Sequence, residues 1–361
     1  MKIGKHKIYR GAKPFVIAEV AQSHDGSLGQ ALAFVDVAAD CGADAIKFQT
    51  HIASEESTPT EPWRVKFSDQ DDTRYAYWER MSFKRSWWQI IKKRAEEAGL
   101  VFLSSPFSEL AVKWLDDLDM HAWKIASGEV HNERLLQAVE ATRKPIIMST
   151  GLSDLSTSTD LVSRFQSKGI DVAVLHCTTK YPTPPEAIGM NIYENLAKHF
   201  DPSVVVGLSD HSGNPTPSII ATYLGASIIE VHLTMHKKMF GPDVSSSLDP
   251  EGLKALVEGV KFAWAMSGSP VMKEEQLERL EPIKNIFTRS LVYNSDLAKG
   301  AVLCESDLGY KKPGGGLGNE YAASLVGRVL RNHVTKDSLI NLSDVEPVSS
   351  EKDLSMHHSE T

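Results

Sequence analysis

The chain has 361 residues, with 39 Lys and Arg against 47 Asp and Glu for a formal charge of −8, 42% hydrophobic and 24% charged residues. That is a globular composition, long enough for one large unit with an appendage or for two domains, each with a sizeable core. The acidic balance and the lack of a Lys/Arg stripe exclude a general grip on nucleic acid, and no run of about 18 apolar residues is present to cross a membrane. The three cysteines, Cys41, Cys177 and Cys304, are too few and too scattered for a disulfide framework or a cysteine metal site. With no apolar core ahead of Pro14, a cytoplasmic location is expected.

From Pro14 to about Leu233, short β-branched or apolar segments alternate with helix-length amphipathic ones. Eight strands are predicted: Phe15–Val20, Ala45–Thr50, Val101–Ser105, Trp123–Ser127, Pro145–Thr150, Val172–Cys177, Val204–Leu208 and Ile228–Leu233. Helical patterns lie between them, and a last one, Pro250–Met266, follows the eighth strand. Near-continuous apolar strands separated by helices mean parallel pairing with helices outside, and eight such units in about 250 residues predict a (β/α)8 barrel. Gly42, Gly99, Gly169 and Gly225 punctuate predicted helix ends. The long connection Ile52–Met81, with Pro59, Pro62, an acidic run and several aromatics, is a candidate lid or substrate wall.

The texture changes after about Ser267. The expected organisation is a barrel over 1–270, a linker over 271–288, a small turn-rich domain over 289–347 with the segment Lys312-Pro313-Gly314-Gly315-Gly316, and a disordered polar tail over 348–361.

Chemistry in such a barrel sits at the C-terminal ends of the strands. In chain order those ends deliver Glu19; Lys47 and Gln49; Ser104 and Ser105; Lys124 and Ser127; Ser149-Thr150-Gly151; His176-Cys177-Thr178-Thr179; Ser209-Asp210-His211; and Glu230 with His232. A lone lysine or histidine on a strand is commonly an edge or a satisfied core group. Charges at the same end of most strands of a barrel buried on both faces are hard to explain by stability, since each costs several kcal/mol without a partner. Two lysines with several hydroxyls suit a small, multiply anionic ligand, and no Walker-type glycine loop is present. His211 and His232 end neighbouring strands; by spacing alone they are either a divalent-metal pair or ordinary hydrogen-bonded histidines. Glu230 faces the same way as His232, and closure of the barrel brings Glu19 beside them, where a carboxylate can orient water or act as a base.

These motifs resemble the sialic acid synthase family, the nonulosonate synthases that condense phosphoenolpyruvate with an N-acylated six-carbon sugar. The matching stretches are IAEVAQSHDGS at Ile17–Ser27, IKFQT at Ile46–Thr50, FLSSPFS at Phe102–Ser108, WKIASGE at Trp123–Glu129, MSTG at Met148–Gly151, LHCTTKYPTP at Leu175–Pro184, GLSDHS at Gly207–Ser212, IEVHLT at Ile229–Thr234 and GPD at Gly241–Asp243. RSLV at Arg289–Val292 and KKPGGGL at Lys311–Leu317 resemble the family's antifreeze-like (SAF, β-clip) domain. The resemblance implies that Lys47, Ser105, Lys124, Ser127, Ser149, Thr179 and Ser209 hold phosphoenolpyruvate, and that His211 and His232 bind manganese, or magnesium or cobalt in its place. It places Glu19, Gln49, Tyr181, Asp243 and Lys312 at the sugar, with Glu19, Lys47, Lys124 and Glu230 as the catalytic set. It further implies a homodimer that exchanges the small domain, and a reaction in which the metal polarises the sugar aldehyde and phosphate leaves by C–O cleavage.

The chain departs from the family on the sugar side. Ser23-His24-Asp25-Gly26 stands where Asn-His-Asn-Gly is common, Thr179 replaces an Asn, Lys312 replaces an Arg, and the family's sugar-contacting Asn finds no counterpart in Ile52–Met81. N-acetylmannosamine is therefore one acceptor among several, beside the diacetamido-trideoxyhexoses. Rival readings of the same residues are another metal-dependent aldolase or sugar-phosphate hydrolase, and a non-catalytic binding protein.

Overall fold

The computed structural model describes residues 1–347; the segment expected to be a disordered tail lies outside the described residues. The chain divides into two compact units, Met1–Ser269 and Pro270–Thr361.

The first unit carries the eight parallel strands: β1 (Phe15–Ala21), β2 (Ala45–Thr50), β3 (Val101–Pro106), β4 (Trp123–Ile125), β5 (Ile146–Ser149), β6 (Val172–Cys177), β7 (Val205–Asp210) and β8 (Ile228–Leu233). They are hydrogen-bonded in the order β3-β2-β1-β8-β7-β6-β5-β4, and β3 packs beside β4 without a ladder, so the barrel is nearly closed. β4 is shorter than expected: Ser127 opens a 3-10 turn, Ser127–Glu129, instead of ending the strand. Outside run α1 (Leu28–Asp40), α2 (Ala53–Glu56), α3 (Arg74–Met81), α4 (Arg85–Glu97), α5 (Glu109–Asp116), α6 (Glu133–Ala141), α7 (Leu155–Ser167), α8 (Met190–His199), α9 (Thr216–Tyr223) and α10 (Pro250–Ser267). α2 and α3 are the only helices of the Ile52–Met81 connection.

Helix boundaries follow from local chemistry. Ser27, Ser108, Asn132, Asp154 and Asp249 each cap a helix by accepting a backbone N–H of its first turn, which satisfies a donor the helix itself cannot. The four punctuating glycines all have φ between +72° and +100°, the left-handed conformation that ends a helix. The three cysteines are free.

Strand alternation then sorts side chains into two cores. Outward residues such as Val16, Ala18, Phe48, Phe102 and Val174 pack under the helices. Inward residues make a separate core at the N-terminal end of the barrel: Phe15, Ile17, Ala45, Val101, Leu103, Ala122, Ile147, Ala173, Leu175, Val205 and Ile228, plugged by Ile3 and Ile8 of the N-terminal segment. One step further along each strand the inward positions turn polar, so the apolar plug is the floor on which the polar residues stand.

The second unit begins with two short helices, α11 (Lys273–Arg279) and α12 (Glu281–Phe287), over the expected linker. Beyond them Ser290–Tyr293 pairs antiparallel with Leu308–Lys311, and bridges such as Val302↔Val329 and Leu330↔Val345 close a small core of Leu291, Tyr293, Leu303, Leu325, Leu330, Val334, Ile340 and Val345. No helix among the described residues is long and apolar enough to cross a membrane.

Gly207 on β7 marks how tightly the barrel closes. A Cβ there would lie 2.2 Å from the carbonyl oxygen of Ile228 and 2.7 Å from Leu175 Cδ2, and the first of these is backbone that cannot step aside. Gly207→Ala is expected to cost about 1–3 kcal/mol, read as a lower urea midpoint at an unchanged m-value.

Candidate active site

The register of the barrel assembles one buried polar cluster. β1 and β2 pair with Glu19 opposite Lys47, β8 and β1 with His232 opposite Glu19, and β7 and β8 with Ser209 opposite Glu230. Lys47 Nζ lies 2.6 Å from Glu19 Oε2 and 3.7 Å from Glu230 Oε2, while Lys124 Nζ lies 3.6 Å from Glu230 Oε1. Lys47 donates to Ser105 Oγ at 3.3 Å, Lys124 donates to Ser149 Oγ at 2.7 Å, and Ser209 donates to Glu230 Oε1 at 3.1 Å. Four charges and three hydroxyls, from seven of the eight strands, thus share a space that water does not reach; Glu19, Lys47, Lys124 and Glu230 are each 1–5% exposed.

The energetics explain the pairing. A carboxylate or ammonium taken from water costs several kcal/mol, and only an opposite charge at close range offsets it. Burial pushes Glu230 up, but Lys124 and Lys47 outweigh it and hold its carboxyl down at about 2. Glu19 moves the other way: burial and the nearby Glu230 raise it, against the pull of Lys47. Burial lowers Lys124, whereas Lys47, held by both carboxylates, is raised in spite of its burial. The cluster can therefore offer one firmly ionised carboxylate and one poised to exchange a proton.

The histidines close the rim. His211 Nδ1 is 2.7 Å from the carbonyl oxygen of Thr178, an acceptor, so that nitrogen carries the hydrogen and Nε2 keeps its lone pair, 3.0 Å from the Tyr181 hydroxyl. The two imidazoles are 5.2 Å apart, and the buried Nδ1 of His232 has no hydrogen-bond partner. Burial, helped by the neighbouring His232 for His211 and by Lys47 for His232, brings both down to about 3. Neutral imidazoles, one oriented by a backbone carbonyl and one with an unpartnered nitrogen, fit a divalent ion. Among the described residues no group of three or more His, Cys, Asp or Glu could hold one, so the two histidines would leave its remaining positions to water and substrate.

Above the cluster opens a cavity of about 630 Å³. Gln49, Thr179, Tyr181, His232 and Asp243 line it. The largest contribution to its wall comes from Ile52–Met81: Glu55, Glu56, Glu61, Trp63, Arg64, Val65, Phe67, Arg74, Tyr77 and Trp78. Arg64 stands over the Tyr181 ring at 4.5 Å and donates to Asp243 Oδ1 at 3.0 Å, tying the wall to two of the predicted sugar residues. Ser127 is half-buried, between the cavity-lining Ala126 and Gly128. Lys312 belongs to the second unit, where its ammonium lies 5.2 Å from the Phe287 ring.

Three strand-end residues prove not to face the site. Ser104 bonds outward to Thr50 and the Phe48 carbonyl, His176 to the Ile188 carbonyl, and Asp210 to Ser212, each because it occupies the alternate, helix-facing position of its strand. Other residues were missed. His51 continues the inward series Lys47, Gln49 by two more residues, and Glu129, whose carboxyl burial raises, lies within the WKIASGE stretch. Gln22 is aimed by an irregularity: the β1–β2 register shifts between Glu19 and Ala21, and Ala21 has φ +46°. Asp25, which departs from the family's Asn, is matched by Arg80 of α3 at 2.6 Å.

Comparison with known proteins adds to this geometry. The model of the NeuB family matches residues 34–272 and that of the SAF domain residues 288–346. The chain is 30% identical to the N,N'-diacetyllegionaminic acid synthase of Campylobacter jejuni, over 91% of this chain and 99% of that protein. It is 31% identical to a pseudaminic acid synthase of the same species, over 92% and 96%. Among solved structures, the N-acetylneuraminic acid synthetase of Leptospira borgpetersenii, in complex with citrate, superposes with a TM-score of 0.68 at 26% identity, over 79% of this chain and 97% of that one.

The Glu230 carboxyl, held at about 2 against a usual 4.5, contributes stability that is complete above pH 4.5 and lost as the pH falls toward 2. Glu230→Gln is therefore expected to be roughly 3 kcal/mol less stable than wild type at pH 7, with the gap closing in acid, as measured by urea unfolding across pH 2–7.

Proposed function

The chain belongs to the NeuB family, and on that premise we propose that it is a nonulosonic acid synthase condensing phosphoenolpyruvate with an N-acylated hexose, with release of phosphate. The observation that carries the reading is the fully buried pair Lys47 and Lys124, each with a serine hydroxyl at its ammonium, directly beneath a cavity of sugar size. Two ammoniums and serine hydroxyls suit the phosphate and carboxylate of a trianion, and Ser127 and Thr179 at the rim extend the set. Because Lys47 is already held by Glu19, the anion competes with that carboxylate.

His211 and His232 would hold a divalent ion, manganese or in its place magnesium or cobalt, which when bound supplies a Lewis acid for the sugar's carbonyl oxygen. The chain's own residues do the rest. Lys47 and Lys124 hold phosphoenolpyruvate while its C3 bonds to the aldehyde carbon of the open-chain sugar. Glu230, the firmly ionised carboxylate, stabilises the cation that develops at C2. Water adds there and gives one proton, by way of Glu19, to the alkoxide that the aldehyde oxygen has become. The C–O bond to phosphate then breaks and the leaving phosphate carries off the second proton of that water, leaving the keto acid.

Gln49, Tyr181 and Asp243 position the acceptor, and Arg64 supplies from the wall a guanidinium that Lys312 cannot mimic. The aromatic wall suits an acceptor bearing acyl or deoxy groups, so a diacetamido-trideoxyhexose is favoured over N-acetylmannosamine. In the family manner, the small domain is expected to close the site of a second copy in a homodimer.

Phosphate release is expected to require both phosphoenolpyruvate and sugar, across a panel of N-acetylmannosamine, mannose and the two diacetamido sugars with and without manganese. Oxygen from labelled water should enter the keto acid; label in phosphate instead would refute C–O cleavage. Arg64→Ala should raise the acceptor KM about tenfold or more with the phosphoenolpyruvate KM unchanged, as loss of one charged hydrogen bond worth about 1.5–3 kcal/mol predicts.

A further inference from the structure

We infer that His51 and Glu56, which the reaction above does not use, act as a positioning pair that sets the direction of the Gln49 amide and thereby keeps Glu19 a hydrogen-bond acceptor. His51 is buried at the cavity edge between two aromatic rings, Trp78 at 4.1 Å and 20° and Phe107 at 4.2 Å and 16°. The sandwich fixes the plane of the imidazole and so the partners of its nitrogens. Nδ1 lies 2.6 Å from Glu56 Oε1, and Nε2 lies 3.1 Å from Gln49 Oε1.

Counting donors gives the chain of bonds a direction. Gln49 turns its Nε2 to Glu19 Oε1 at 2.9 Å, so its amide oxygen faces His51 Nε2 and also Gln22 Nε2, at 3.1 Å. An amide oxygen only accepts, so His51 Nε2 carries a hydrogen. At 2.6 Å from a carboxylate oxygen, Nδ1 must share a proton with Glu56, whichever of the two holds it. Turning the Gln49 amide over would set its NH2 group against the hydrogen on His51 Nε2.

That reversed amide is the one that matters for Glu19. With its oxygen toward Glu19, Gln49 would accept from a protonated Glu19 and hold the proton there. With hydrogen on Nε2 and a proton shared between Nδ1 and Glu56, His51 excludes this arrangement. Gln49 then donates to Glu19 Oε1, and the carboxylate is left free to take the proton of water.

The inference rests on the reading of Glu19 above, so its test has one arm that needs no turnover. In the 15N-labelled full chain, long-range 1H–15N spectra of the histidine rings, assigned with His51→Phe, are expected to show His51 Nε2 protonated. An unprotonated Nε2 would overturn the pairing whether or not the chain is a synthase. In the phosphate-release assay, His51→Phe keeps a ring between Trp78 and Phe107 but removes the donor. It is expected to lower kcat about tenfold with both KM values within twofold, and His51→Gln, which can still donate to Gln49, should recover part of the loss. Wild-type kcat in His51→Phe, or an equal fall in His51→Gln and His51→Phe, would overturn the positioning role. If wild type releases no phosphate with any sugar, the synthase reading fails while the spectra still decide the bonding.

Discussion

Two ammonium groups held inside a barrel away from water impose most of what is distinctive here. Lys47 and Lys124 can stay charged only beside carboxylates, and the barrel supplies Glu19 and Glu230 at 2.6–3.7 Å. Those four must come from four different strands, at one level and on the inward face. The register of β1 with β2 and β8, and of β8 with β7, is therefore as necessary to the site as the charged residues are. A slip of one residue in any of these strands would turn its polar residue under the helices. The apolar plug beneath, from Phe15 to Ile228, sets that level by filling the barrel to one height.

The same arithmetic decided what could be read from the chain beforehand. The strand–helix alternation and the inward polar residues were legible because strand period 2 and helix period 3.6 are local properties. Ser104, His176 and Asp210 were misread where that period was applied loosely, to strand ends in place of strand faces. His51 lay within reach of the same rule. Arg64, Trp63 and Trp78 did not, because Ile52–Met81 has almost no periodicity, and which of its side chains meet the cavity is fixed by contacts such as Arg64 with Asp243, 179 residues apart. The pairing of Asp25 with Arg80 was hidden for the same reason, although the departure at Asp25 was visible. The two histidines could be placed by spacing, but their chemistry depends on the Thr178 carbonyl and on an unpartnered nitrogen, which spacing does not report.

The site therefore has two halves with different physical characters. The deep half is charged, sealed and held by backbone register, so little in it can change without leaving a buried charge unpaired. The outer half is a wall of aromatic and ionic side chains on a connection with only two short helices, where a substitution alters the shape of the cavity and leaves the barrel intact. Relatives of this chain are named as synthases of different sugar acids, N,N'-diacetyllegionaminic acid and pseudaminic acid among them. A constant floor beneath a changeable wall is a physical basis on which one chemistry can serve several acceptors.

Besides the tie of Arg64 to Asp243, the wall is clasped near the end of α3. Arg80 takes Asp71 with two hydrogen bonds of 2.8 Å and Asp25 with one of 2.6 Å, while a Cβ on Gly26 would lie 2.4 Å from the Arg80 carbonyl oxygen. The Ile52–Met81 connection is thus sewn to the loop after β1, far from it in the chain. An engineer wishing to graft another wall onto this barrel would have to move residues 25 and 26 with it, since the transplanted segment would otherwise arrive without its mooring.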